Sequence, residues 1–174
     1  MANLKSEVIT GLRRTNSNAL DVLVDSVKFY REDAPVELTS SAYTGNVGTL
    51  TEGAHAGRLL IAPDHTGNGT INVPAPSRAG VRYRLVNDSV ADDSQNLTIA
   101  LSTTSNTFSG GIFSNDENQA GAGQVSVVRR GSGDDKIHLT APHMFDIELI
   151  STSTTNFLVT GYAVSDDHVS YSGS

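Results

Sequence analysis

His138, His143 and Asp146 are the side chains whose types and spacing come closest to chemistry in this 174-residue chain. Two imidazoles and a carboxylate are metal-ligand types, and on adjacent hairpin strands they would converge. The spacing matches no established metal motif. His138 alternates with Ile137 and Leu139, which places it on the polar side of a strand. A solvent-facing or hydrogen-bonded histidine is therefore expected, with no bound metal and no cofactor. His55 and His65 lie in Gly-rich loops and His168 in a polar tail, and they read the same way.

The remaining candidates for chemistry are weaker. The acidic pairs Asp92–Asp93, Asp116–Glu117, Asp134–Asp135 and Asp166–Asp167 do not fit the calcium-loop pattern and read as solvated turns. The absence of cysteine excludes disulfides, thiol catalysis and thiolate metal sites. No G-x-S-x-G nucleophile elbow occurs. There is no tryptophan and aromatics make up 6%, which argues against a groove that stacks sugar rings. Gly121–Gly123 and Gly131–Gly133 precede strands rather than helices, so they are turns and not phosphate cradles. A binding protein is expected rather than an enzyme.

Net charge and hydropathy narrow the partners. A net charge of −7 works against the counterion release that drives nucleic-acid affinity, so no nucleic-acid partner is expected. Arg13–Arg14, Arg78–Arg82–Arg84 and Arg129–Arg130 read as solvated turn or strand faces. No apolar run is long enough for a membrane span or a signal peptide, so no membrane is expected and synthesis is placed in a cytoplasm.

The elements that must position these residues are strands. Thr, Val and Ile favour strands, Gly, Asn and Ser favour turns, and helix-forming stretches are scarce. Residues 71–86, INVPAPSRAGVRYRLV, read as two strands around a turn where Pro74 and Pro76 interrupt pairing and Gly80 supplies φ > 0. Further strands are expected at 36–39, 97–101, 124–128, 136–140, 145–150 and 157–164, with a short apolar run at 58–62. Short strands with turns every 8–15 residues indicate an all-β sandwich or barrel in one main domain, 35–174.

Two regions stand apart. Residues 102–123 read as an unusually long loop, and long loops are usually functional or order against a partner. Its apolar residues Phe108, Ile112 and Phe113 either plug the sandwich or make subunit contacts. Residues 1–34 are either an arm or a segment that completes the sandwich. Leu20, Leu23, Val24 and Val27 keep helical spacing, yet the segment is β-branched, so it is a short helix or an extended strand.

Read together, residues 70–167 resemble a pattern of tailed-phage virion proteins, over a little more than half the chain. It comprises INVPAPSRAGVRYRLVN, then LTIALSTTSNTFSGGIF, and finally FDIELISTSTTNFLVTGYAV. Phe157 stands where the pattern often has Trp, and the turn before the ELI strand is APHM where Gly is usual. The resemblance implies an antiparallel β-sandwich, jelly-roll-like, that trimerises on capsids or fibres. A compact chain without internal repeats looks most like a capsid decoration (cement) protein. That reading implies a homotrimer made in the host cytoplasm that binds the major capsid protein on the outer capsid surface and stabilises the head. Leu4, Val8, Ile9 and Leu12 are then the capsid-docking candidates, and Phe108, Ile112 and Phe113 the subunit-interface candidates. The alternative is a tail or head fibre module that recognises a cell-surface glycan.

Overall fold

The structure is a computed structural model that describes residues 12–16, 19–22, 36–38, 43–44, 47–62, 67–87, 95–116, 123–128 and 133–173. Met1–Ala34 and Pro35–Ser174 are separate compact units. In the first, β1 (Leu12–Asn16) pairs antiparallel with β2 (Ala19–Val22), Leu12 opposite Val22. The described part of the helix-or-strand segment is thus a strand. The only helix among the described residues is α1 (Glu52–His55), in the second unit.

The second unit continues with β3 (Val36–Glu37), β4 (Tyr43–Thr44), β5 (Val47–Thr49), β6 (Leu59–Ile61), β7 (Gly69–Val73), β8 (Arg82–Asn87) and β9 (Leu97–Leu101). It closes with β10 (Thr107–Asp116), β11 (Gly123–Val128), β12 (Lys136–Leu139), β13 (Pro142–Ser151), β14 (Asn156–Ser165) and β15 (Ser170–Ser172). One sheet runs β11-β10-β14-β13-β8-β6-β3 and the other β15-β12-β9-β7-β5-β4. Side chains from both, including Ile71, Ile99 and Ile137 on one side and Tyr83, Phe108 and Ile147 on the other, meet in a single apolar core. Each fully buried side chain of this kind contributes about 1.5–3 kcal/mol.

The architecture is mostly β, but both sheets are mixed, which corrects the expectation of antiparallel pairing throughout. From β5 to β9 the chain changes sheet at every connection. Next-but-one strands therefore become neighbours and run parallel: β5 with β7, β7 with β9, and β6 with β8. β3 with β6 and β10 with β14 are also parallel. The Pro74–Gly80 turn belongs to this pattern, because it carries the chain across the core rather than closing a hairpin. Its far end is laced to β13: the amide of Gly80 donates to the Ser151 carbonyl, and the amide of Val81 to the Ser151 hydroxyl, each at 2.8 Å.

The supposed loop at 102–123 contains a ten-residue strand, β10. Phe108, Ile112 and Ser114 point inward and are fully buried, while Phe113 points out. Small residues at 109–111 conceal this period-two pattern in the sequence. They have a structural reason. Gly110 has φ +116, and a Cβ there would lie 2.2 Å from the Val159 carbonyl oxygen of the adjacent strand β14. Only glycine allows that approach.

Candidate functional site

The histidine–carboxylate set does not assemble. β12 and β13 lie in different sheets, and the chain turns between them at Ala141, φ +42. His138 pairs with Thr98 Oγ1 at 3.2 Å and Ser172 Oγ at 2.7 Å on the outside of the six-stranded sheet. His143 Nε2 meets Asp166 Oδ1 at 3.2 Å. His55 closes on Thr51 at the two ends of α1. Among the described residues no three His, Asp or Glu side chains gather as metal ligands. His65, Asp92 and Asp93 lie outside the described residues.

Asp146 instead belongs to an ion-pair ladder. β8 presents Arg82 and Arg84 outward, and β13 presents Asp146 and Glu148, because Tyr83, Leu85, Ile147 and Leu149 take the inward positions. The Arg84 guanidinium donates to both Asp146 oxygens, Nε to Oδ1 at 2.9 Å and Nη2 to Oδ2 at 2.5 Å. Arg82 Nε pairs with Glu148 Oε1. Hydrogen bonding from Arg84 holds the Asp146 carboxyl below its usual range. The third basic residue of that cluster, Arg78, lies 3.8 Å from Glu52. Glu52 also accepts from the Ser77 hydroxyl at 2.7 Å and the Ser77 amide at 3.0 Å, and these bonds hold its carboxyl low. All three arginines have carboxylate partners, so they do not form an open anion site.

Beside the ladder lies an apolar strip. Phe113 of β10 and Tyr162 of β14 stack in register, ring centroids 5.8 Å apart and planes 13° from parallel. Both are more than a third exposed, as are Leu158 of β14 and Met144 of β13. Between ladder and strip is a shallow concavity of about 300 Å³, lined by Arg82, Arg84, Asp146, Glu148, Thr160 and Tyr162 and floored by Gly161. A Cβ on Gly161 would sit 2.3 Å from the Asp146 carbonyl oxygen, so the floor is held by a second obligatory glycine. This face combines exposed aromatic surface with satisfied charges, a pairing suited to contact with a macromolecule.

The sequence-derived interface residues divide. Phe108 and Ile112 are core residues of a single chain and leave the interface set, because the inward register of β10 buries them. Phe113 remains exposed on the outer face. Leu4, Val8 and Ile9 lie outside the described residues, and Leu12 opens β1 of the first unit. Tyr162, Leu158, Met144 and the two ion pairs were missed. Their signal was present as the outward positions of β13 and β14, which alternate with the apolar residues used to recognise those strands.

Compared with protein-family models, curated proteins and solved structures, the chain has no match. Among the described residues no helix is long and apolar enough to cross a membrane.

Proposed function

We propose that this chain is a structural protein of a phage virion, a capsid decoration protein that binds the major capsid protein on the outer surface of the head. The observation that carries this reading is where the resembling motifs fall in the fold. RYRLVN is β8, TFSGGIF opens β10, and the ELI and VTGYAV segments lie in β13 and β14. These four strands are contiguous in the seven-stranded sheet, in the order β10-β14-β13-β8. Their outer face carries the exposed Phe113–Tyr162 stack and the ion-pair ladder. The finer expectations, jelly-roll winding and a homotrimer, belong to this proposal and rest on the resemblance.

The mechanism is binding. A ligand that binds only the assembled shell stabilises it by mass action. An oligomer that touches several capsid subunits holds each contact at high effective concentration, so weak contacts sum to tight attachment. The test is to mix purified protein with undecorated capsids and pellet them. Co-sedimentation that saturates at a fixed copy number, with a raised capsid melting temperature, supports decoration. Protein left in the supernatant at all concentrations rejects it. Deleting residues 2–17 should abolish pelleting if the N-terminal segment docks on the capsid.

The concavity beside Tyr162 favours one second reading, a fibre module for a cell-surface glycan. It offers polar side chains and an aromatic ring, though on a sheet face rather than at a loop end. Labelled protein that binds host cells, and loses them once their surface polysaccharide is stripped, would support this reading over decoration.

A further inference from the structure

Asn68 is followed by Gly69, and this is the one Asn-Gly pair in the sequence. Such a pair carries its own chemistry. The amide nitrogen of the second residue, once it has lost its proton, attacks the side-chain carbonyl carbon of the asparagine. A carbon–nitrogen bond closes a five-membered succinimide, and the side-chain nitrogen leaves as ammonia. Water then opens the ring at either carbonyl and leaves aspartate or isoaspartate. Water enters and ammonia departs, with no oxidant and no cofactor. Glycine favours the step because no side chain hinders its nitrogen and its backbone turns freely toward the ring geometry.

In the fold both reacting groups are held by one residue. The Gly69 amide donates to the Asn96 carbonyl at 2.8 Å, and the Asn96 amide donates to Asn68 Oδ1 at 3.0 Å. These two bonds stand at the start of the parallel pairing of β7 with β9, where Gly69 lies opposite Leu97. Gly69 is buried, while Asn68 and Asn96 are exposed. The nucleophile therefore keeps its proton inside a hydrogen bond, away from bulk base. The electrophile is pinned by its oxygen to the neighbouring strand. Asn96 is itself fixed, since its Oδ1 accepts from the amide of Ala141, in the turn between β12 and β13, at 3.1 Å.

We propose that Asn68 is a latent modification site, whose deamidation is blocked while β7 lies against β9 and released when the two part. Ring closure needs the Gly69 nitrogen to leave the Asn96 carbonyl and swing onto Cγ of Asn68. The folded chain therefore reacts only through the fraction that is open at this end of the sheet. The two products differ in consequence. Aspartate at this position keeps an oxygen for the Asn96 amide and accepts as an anion. Isoaspartate routes the main chain through the former side chain and adds one carbon to it ahead of β7. The strand is then displaced along β9, and the fully buried Ile71 and Val73 are drawn from their places in the core. A chain that has once opened is marked, and one of its two marks hinders return to the fold.

The inference is independent of the capsid reading, and peptide mapping of the full chain tests it. Protein is kept in mildly alkaline buffer, both folded and in urea above its unfolding midpoint. The fragment that holds Asn68 is followed by mass spectrometry and by enzymatic methylation of isoaspartate. In urea this fragment should deamidate before any other that contains asparagine. In the folded protein it should react at least about tenfold more slowly, because the closed fraction is inert. Gly69→Ala should slow the reaction in urea, where the variant's ability to fold is immaterial. Back in buffer, Asn68→Asp should melt at the wild-type temperature, whereas chains with isoaspartate at this position should melt lower or fail to refold. A folded rate within about tenfold of the unfolded one would overturn the proposal. So would a faster rate in the folded protein, which would make the Asn96 amide an activator of the carbonyl, or a different asparagine reacting first in urea. Isoaspartate chains that melt like wild type would overturn the hindered return.

Discussion

Arg84 and Asp146 are bonded across a diagonal of the sheet. The register sets Arg84 opposite Glu148 and Asp146 opposite Val86, yet the guanidinium reaches one pair along to hold both Asp146 oxygens. Arg82 repeats the step to Glu148 rather than to Ile150, its registered neighbour. Diagonal side chains are within reach of long residues, and two identical steps make a continuous ladder.

The ladder and the separate Glu52–Ser77 contact together set an acid limb of stability. The Asp146 and Glu52 carboxyls are held below their ordinary values of 3.8 and 4.5. A depressed carboxyl stabilises the fold above its unfolded value and loses that contribution as pH falls through the lower folded value. Urea midpoints should therefore be flat above about pH 5 and fall progressively below the ordinary values. Asp146→Asn should flatten part of this fall. Its cost near neutral pH should be only about 0.5 kcal/mol, because both partners are nearly half exposed and solvent screens the pair.

At alkaline pH the sign reverses. Burial pushes the phenols of Tyr83 and Tyr171 up to about 12. The unfolded chain releases these protons near 10 while the fold retains them, so stability is complete below pH 10 and declines between 10 and 12. An ultraviolet phenolate titration should show these two tyrosines ionising after exposed ones. A phenolate yield complete by pH 11 in folded protein would contradict the assignment.

Tyr83 invites a stabilising substitution. Its ring packs in the core 6.2 Å from Phe157, and its buried hydroxyl has no hydrogen-bond partner among the described residues. An unsatisfied buried hydroxyl costs about 1–3 kcal/mol. Tyr83→Phe should raise the melting temperature, by the equivalent of about 1 kcal/mol. A clear loss of stability would mean that the hydroxyl is bonded in solution.

The two glycines Gly110 and Gly53 should respond oppositely to alanine. At Gly110 the added methyl meets backbone on β14 in a left-handed conformation, so the loss should reach about 3 kcal/mol or more. At Gly53, inside α1, the methyl enters open space, and stability should rise by about 0.5–1 kcal/mol. Chemical denaturation of the two variants checks both directions.

How far the sequence was legible depended on what each strand faces. β8, β13 and β14 alternate strongly, and their expected bounds agree with the structure to within one residue for β8 and β14 and within three for β13. β10 was hidden because Ser109, Gly110 and Gly111 interrupt its apolar register, and the backbone approach that requires glycine is made by a strand some fifty residues away. The mixed pairing was hidden for a related reason: alternation marks a strand and its faces but not its neighbour. A proline-rich turn serves an arch between sheets as well as a hairpin. Phe113 stands out in the sequence because its Gly- and Ser-rich neighbours hide the strand it belongs to, while Tyr162 is concealed by the regular alternation of β14.

The alternate crossing between sheets from β5 to β9 has a kinetic consequence. No strand in that stretch can pair with the one made just before it, so each pairing waits until an intervening strand is placed across the core. Local hairpins are then few and loop closure must come before contacts that reward it, which slows folding. The transition state has to organise several crossings together. The same interlocking resists piecemeal opening, because freeing one strand disturbs both layers. Once formed, the molecule should persist through a high barrier to unfolding as well as through its equilibrium stability.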